Sequence, residues 1–189
     1  METLTLGKTY FDENGKYLKG DLSFNGHIHL AASLGFVRFD SIVASGDIIA
    51  AAGTSITAGG FIEAGGSIEA GGSIKAGGSI EAGWFIEAGG SIEAGGSIEA
   101  GGSIKAGYGI KAGLSITCRR TLFAGLAVFA GVCVWKTTTV ADRTVTCATL
   151  KGTVEYGIVK FIPVDEEKEN HRDRSPLRAK LLAVQGIPR

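Results

Sequence analysis

From Phe61 to Gly113 one six-residue phrase, Ser-Ile-Glu/Lys-Ala-Gly-Gly, repeats nine times with small variations. Its isoleucines, Ile62, Ile68, Ile74, Ile80, Ile86, Ile92, Ile98, Ile104 and Ile110, fall six residues apart without a slip. Six residues cannot enclose a core. A unit this short is stable only when stacked on copies of itself, so the chain must be a solenoid. Strand alternation within the phrase sends Ile and Ala to one side and Ser and Glu or Lys to the other. The two glycines then fall at the corners, where a positive φ is cheap for glycine. A buried Ile contributes about 1.5–3 kcal/mol, and each Gly costs about 0.5–1 kcal/mol of chain entropy. The coils must therefore also gain from hydrogen bonds between rungs.

Three six-residue sides make an 18-residue coil. The expected fold is all-β: a single-stranded triangular parallel β-helix with an N-terminal hairpin cap and a short C-terminal helix. Four segments are expected: a β-hairpin cap at 1–24, the solenoid at 25–136, closing strands at 137–164, and a charged linker with a short helical tail at 165–189. In the first, Leu4-Thr-Leu and Tyr10-Phe face Tyr17-Leu and Leu22–Phe24 across a turn centred on Asn14-Gly15, and such a cap shields the open sheet edge at a solenoid end. Before the clean register, Ile28, Phe36, Ile42 and Ile48 read as inward. The eight-residue step from Ile48 to Ile56 implies a two-residue bulge near Ala52-Gly53. After it, Ile116, Leu122, Val128 and Val134 keep the beat. Thr137 to Val164 is rich in Thr and Val. Asp165 to Arg174 is a solvated charged run. Ser175-Pro176 then suits a helix start, with Leu177, Leu181, Leu182 and Val184 on one face.

Composition narrows the field. Lys+Arg and Asp+Glu balance at 19 each in 189 residues, so no global field draws the chain to nucleic acid. Thirty Gly with only three Pro, in a period of six, exclude collagen. At 44% hydrophobic residues the chain is no disordered linker. Cys118, Cys133 and Cys147 are odd in number and form no CxxC, which points to free thiols in a reducing, cytoplasmic setting rather than to a metal site. Glu2 and alternating Thr and Leu replace the basic and then apolar start of a leader. The uncharged run Thr121 to Trp135 falls short of the roughly 20 residues a membrane helix needs, and it keeps the six-residue beat.

An 18-residue coil stacks the outward residues about 4.8 Å apart. The columns are Glu63, Glu81, Glu99; then Glu69, Glu87, Lys105; then Lys75, Glu93, Lys111. The all-Glu column is a candidate strip for a charged partner. Chance alone leaves one such column in about two of three arrangements of these charges, so the strip also reads as a solubilising face. The register that turns Leu122, Val128 and Val134 inward forces Phe123, Phe129 and Trp135 outward, one on each side of a coil. Aromatics so placed call for cover, so these three are the candidate interface. Phe61, Trp84 and Phe85 replace Ser or Gly and form a second candidate patch.

The phrase Ile-Glu-Ala-Gly-Gly-Ser resembles that of hexapeptide-repeat parallel β-helices: an aliphatic residue, a small or acidic one, and a later small one. The resemblance covers about residues 42 to 135. The chain also looks like the bactofilin type of polymer-forming β-helix, without its mixed aliphatic rungs. Many hexapeptide β-helices are acyltransferases with a loop His and a cofactor groove between trimer coils. Here the perfect repeat holds no His and no inserted loop. His27-Ile-His29 puts two imidazoles on one strand face, short of a metal's ligand count, and both read as surface histidines. The glycines lie between strands, so no phosphate-binding loop is present. Ice binding is disfavoured because Glu and Lys stand where Thr arrays would be. No catalytic, cofactor or metal residue is expected.

The resulting expectation is a non-enzymatic solenoid that presents a rigid surface to itself, as a homo-oligomer and first as a dimer, and to another protein. It excludes direct nucleic-acid and membrane partners. The alternative is an inhibitor that imitates nucleic acid, as a phage-encoded anti-defence protein would, through Glu63, Glu81 and Glu99. The third reading is a degenerate hexapeptide acyltransferase.

Overall fold

The structure is a computed structural model, which describes residues 1–163. Each repeat phrase forms a three-residue Ile-x-Ala strand with buried ends and an outward middle, as in Ile68–Ala70, Ile74–Ala76 and Ile80–Ala82. All the ladders are parallel, and the partner of each Ile lies 18 residues on: Ile62 pairs with Ile80, Ile80 with Ile98, and Ile74 with Ile92. The coil is thus three phrases long. We call its sides the first face (Ile68, Ile86, Ile104), the second (Ile74, Ile92, Ile110) and the third (Ile62, Ile80, Ile98). The third face is an eight-stranded sheet. The first two merge into one 13-stranded sheet because the ten-residue strand Thr121–Ala130 turns their shared corner without a break.

Every isoleucine of the repeat is fully buried, and the alanines beside them nearly so. The core is a column of Ile rungs with Ala where the triangle narrows. Corner amides remain in the ladder: Gly77 N–H donates to Ala58 O at 2.9 Å and Ile74 N–H to Ser91 O at 3.0 Å. The serines add a second ladder at the corners, where Ser55 Oγ accepts the N–H of Ser73 at 3.0 Å and Ser73 Oγ that of Ser91 at 3.1 Å.

The corner glycines do not serve as expected. None between Gly59 and Gly113 has a positive φ. From Gly65 on, the first glycine of each pair is required by stacking instead: a Cβ on Gly77 would run into Gly59 O, and one on Gly95 into Gly77 O. Coil stacks on coil so closely that the corner backbone leaves no room for a methyl group. Positive φ is confined to irregular places such as Gly53, at +73°, in the longer corner between Ile48 and Ile56. That corner is the expected bulge, and because of such corners the early coils run 20 residues, as in Ile42 paired with Ile62.

Three local expectations are corrected. The N-terminal segment is not a β-hairpin: Glu2–Leu6 pairs in parallel with Gly26–Leu30 as the first rung of the first face, and one antiparallel bridge, Phe11 to Tyr17, remains of it. The segment still closes that end, because Phe11, Tyr17 and Phe39 pack ring on ring, with centroids 5.2–6.0 Å apart, over the core. Phe36 points to solvent at 67% exposed, and Val37 takes the inward place, paired with Ile56. At the other end the beat is lost after Ala130: Val134 is 93% exposed, and 131–143 leave the coil as an excursion.

Stacking then resumes. Thr144–Cys147 and Ile158–Phe161 continue the third face, and Thr149–Tyr156 continues the first and second. The expected boundary at residue 136 falls inside the excursion, and the strands beyond it add a last coil. The expected linker and helix at 165–189 lie outside the described residues. No helix among the described residues is long and apolar enough to cross a membrane.

Candidate interaction surfaces

The register assembles the outward columns read from the spacing. On the third face Glu63, Glu81 and Glu99 are direct neighbours, followed by Thr117. Partial burial, then the charges of Glu99 and Glu63, push the Glu81 carboxyl above its ordinary value. Arg119 rims the same shallow groove at one end. The other two columns each hold an ion pair: Lys105 Nζ lies 2.7 Å from Glu87 and Lys75 Nζ 3.4 Å from Glu93.

The three candidate interface aromatics are not equivalent. Phe123 lies half-buried in the first-face column between Lys105 and Lys151. Phe129 is exposed on the second face between Lys111 and Tyr156. Trp135 does not occupy the third side, which in that coil is held by Thr146. It lies in the excursion, 62% exposed, and its ring reaches back over the corner glycines Gly95 and Gly113. Sequence reasoning missed Tyr108, Leu126, Tyr156, Ile158 and Phe161, all exposed near the same end. A signal existed for two of them: Tyr108 and Leu126 stand one coil apart at a corner where Gly is the rule.

The corner joining the third face to the first carries a groove of about 370 Å³. Its spine is a backbone ladder running Ala148, Arg120, Gly102, Trp84, Gly66, Gly46, Gly26, each linked to the next by a corner hydrogen bond. Because glycines flank Trp84 on this spine, its indole and the Phe85 ring stand as walls over open backbone. Asp47, Glu69 and Glu87 line the groove with them, with His27 and Met1 toward the N-terminal end. Asp47 Oδ1 accepts the N–H of Ser67 at 2.6 Å. His27 Nδ1 lies 3.0 Å from both the N–H and Oδ2 of Asp47, so it accepts from the first when neutral and donates to the second when protonated. Burial, then the neighbouring His27, lowers the His29 pKa. The patch glimpsed in Trp84 and Phe85 is thus real, while Phe61 lies on another corner, between the second and third faces.

Among the described residues no group of His, Cys, Asp and Glu is placed to hold a metal. Cys118 and Cys147 point into the core; burial, then Cys147, pushes the Cys118 thiol up to about 12, and burial raises Cys147 as well.

The fold defines a parallel β-solenoid of about eight coils, each about 18 residues long in its regular part. No family model, no curated protein and no solved structure matches the chain.

Proposed function

We propose that this chain is a non-enzymatic scaffold that binds protein, a second copy of itself first, through its C-terminal coils. One observation carries the reading: six large apolar side chains, Tyr108, Leu126, Phe129, Trp135, Tyr156 and Phe161, stand exposed near that end, against Phe61 and Trp84 on the regular middle coils. Monomeric proteins rarely leave such a set uncovered. The two ends also differ, because aromatic rings plug the N-terminal end while, among the described residues, nothing stacks beyond Thr149–Tyr156 and Ile158–Phe161. Unpaired strand edges beside apolar side chains invite association. Sedimentation of the full chain is expected to show a dimer or larger species, with Trp135→Ala shifting it toward monomer. A monomer at high concentration, unchanged by that substitution, would refute the reading. The three free cysteines fit a reducing, cytoplasmic setting.

The unbroken Glu63, Glu81, Glu99 column favours a second reading, an inhibitor that imitates nucleic acid. Its reach is short. Three carboxylates at about 4.8 Å steps span about 10 Å, over which duplex DNA carries about six charges. Arg119 also stands at its rim. Competition with duplex DNA for a basic protein, abolished by reversing all three glutamates, would raise this reading above the first. The finer likeness to hexapeptide-repeat β-helices leaves a degenerate acyltransferase as a third, and a thermal shift on adding acyl-CoA would restore it.

A further inference from the structure

The chain leaves the described coils on the corner that holds the Trp84–Phe85 groove. Phe161 ends the last third-face strand, and Ile162 donates its N–H to Cys147 O at 3.1 Å, which sets Pro163 at the head of the corner spine. Down this spine the charges come in order. Arg119 and Arg120 lie at the coil next to Ala148, and two coils further stand Trp84 and Phe85, with Asp47, Glu69 and Glu87 around them. The residues beyond Pro163 carry the opposite charges in the same order. Residues 165–169 hold Asp165, Glu166, Glu167 and Glu169 against Lys168, and residues 172–189 hold five Arg or Lys against Asp173 alone.

We propose that residues 165–189 dock back along this corner of their own molecule, the acidic stretch over Arg119 and Arg120 and the basic stretch, Arg172 to Lys180, in the Trp84–Phe85 groove. The tether allows it: four coil steps of about 4.8 Å put Trp84 about 19 Å from the exit, and the nine residues 164–172 reach about 30 Å when extended. The chemistry fits, since a guanidinium stacks on an indole or phenyl face while pairing with a carboxylate beside it. Glu87 already meets Lys105 and Asp47 already accepts from Ser67, but a carboxylate has about four acceptor sites, so each retains capacity for a further donor. Attachment to the same chain supplies an effective concentration in the millimolar range, which favours the molecule's own segment over a basic peptide from elsewhere.

The test uses the full chain with a photo-crosslinking phenylalanine in place of Trp84, and in a control in place of Phe61 on another corner. Mixing isotope-labelled and unlabelled protein separates links within a chain from links between chains. The expected result is a link from position 84 to residues 172–189 within one chain, none from position 61, and a yield about tenfold lower in Arg178→Glu/Lys180→Glu. Links between chains would assign the groove to a second copy and overturn the proposal. So would the lack of any link to that segment, or a yield indifferent to the charge reversal.

Discussion

A single glycine shows how tightly the coils are stacked. Gly59 and Gly77 occupy the same corner one coil apart, and neither has a positive φ. A Cβ on Gly59 would sit 3.7 Å from Asp40 O, an ordinary contact, whereas on Gly77 it would collide with Gly59 O. Gly59→Ala is therefore expected to be neutral or to stabilise by up to about 1 kcal/mol through the unfolded chain. Gly77→Ala is expected to destabilise by about 1–3 kcal/mol through overpacking. Thermal unfolding of the two variants against the parent measures the difference, and equal shifts would sink the stacking argument. Glu81 makes the opposite case, of a side chain with room but an unfavourable field. Its native pKa lies above the ordinary value, so between the two values the native state holds the proton more tightly and stability falls as pH rises. Glu81→Gln is expected to gain about 0.2–1 kcal/mol at neutral pH, with the gain vanishing below the ordinary carboxylate pKa. An equal effect at acidic and neutral pH would show that the column's charge is not the cause.

Elements were legible in the sequence to the extent that they followed the phrase. From Ile56 to Val128 the spacing alone fixes strand, face and column, because a six-residue error-free period leaves one register. The misreadings fall where the period is broken. By sequence Phe36 reads as inward because its spacing suits the beat and its side chain is apolar, but the longer corner after Leu30 moves the register by one residue, and such a slip exchanges the faces. Val134 continued the beat on paper, yet the chain had already left the coil at Gly131. The Trp84–Phe85 groove could not be read at all, since its walls and carboxylates come from coils that only the stack brings side by side. The resumption of the coil at Thr144 carries a chemical consequence: it seals Cys147 and Cys118 in the core while leaving Cys133 half-buried in the excursion. Alkylation of the native protein near neutral pH, read by mass spectrometry, is expected to modify Cys133 alone. Rapid modification of Cys118 would contradict the placement of the last coil.

At the scale of the molecule, the described coils form a rod whose two ends differ. Its middle carries an ion pair in two of its three columns, one end is plugged by Phe11, Tyr17 and Phe39, and the other gathers exposed apolar residues beside strand edges. The middle coils supply length and rigidity, since each is held by the same buried isoleucines and the same corner ladder. On the proposed reading, recognition is left to the places where the phrase is broken, which are the corner at Trp84 and Phe85 and the coils after Gly107. The claim that the C-terminal coils are the associating surface is tested most directly by hydrogen exchange measured at low and high protein concentration. The account predicts amides of Thr149–Tyr156 and Ile158–Phe161 that exchange more slowly as concentration rises, with the coils between Ile62 and Ala100 unchanged. Exchange independent of concentration along the whole chain, or slowing confined to the middle coils, would contradict it.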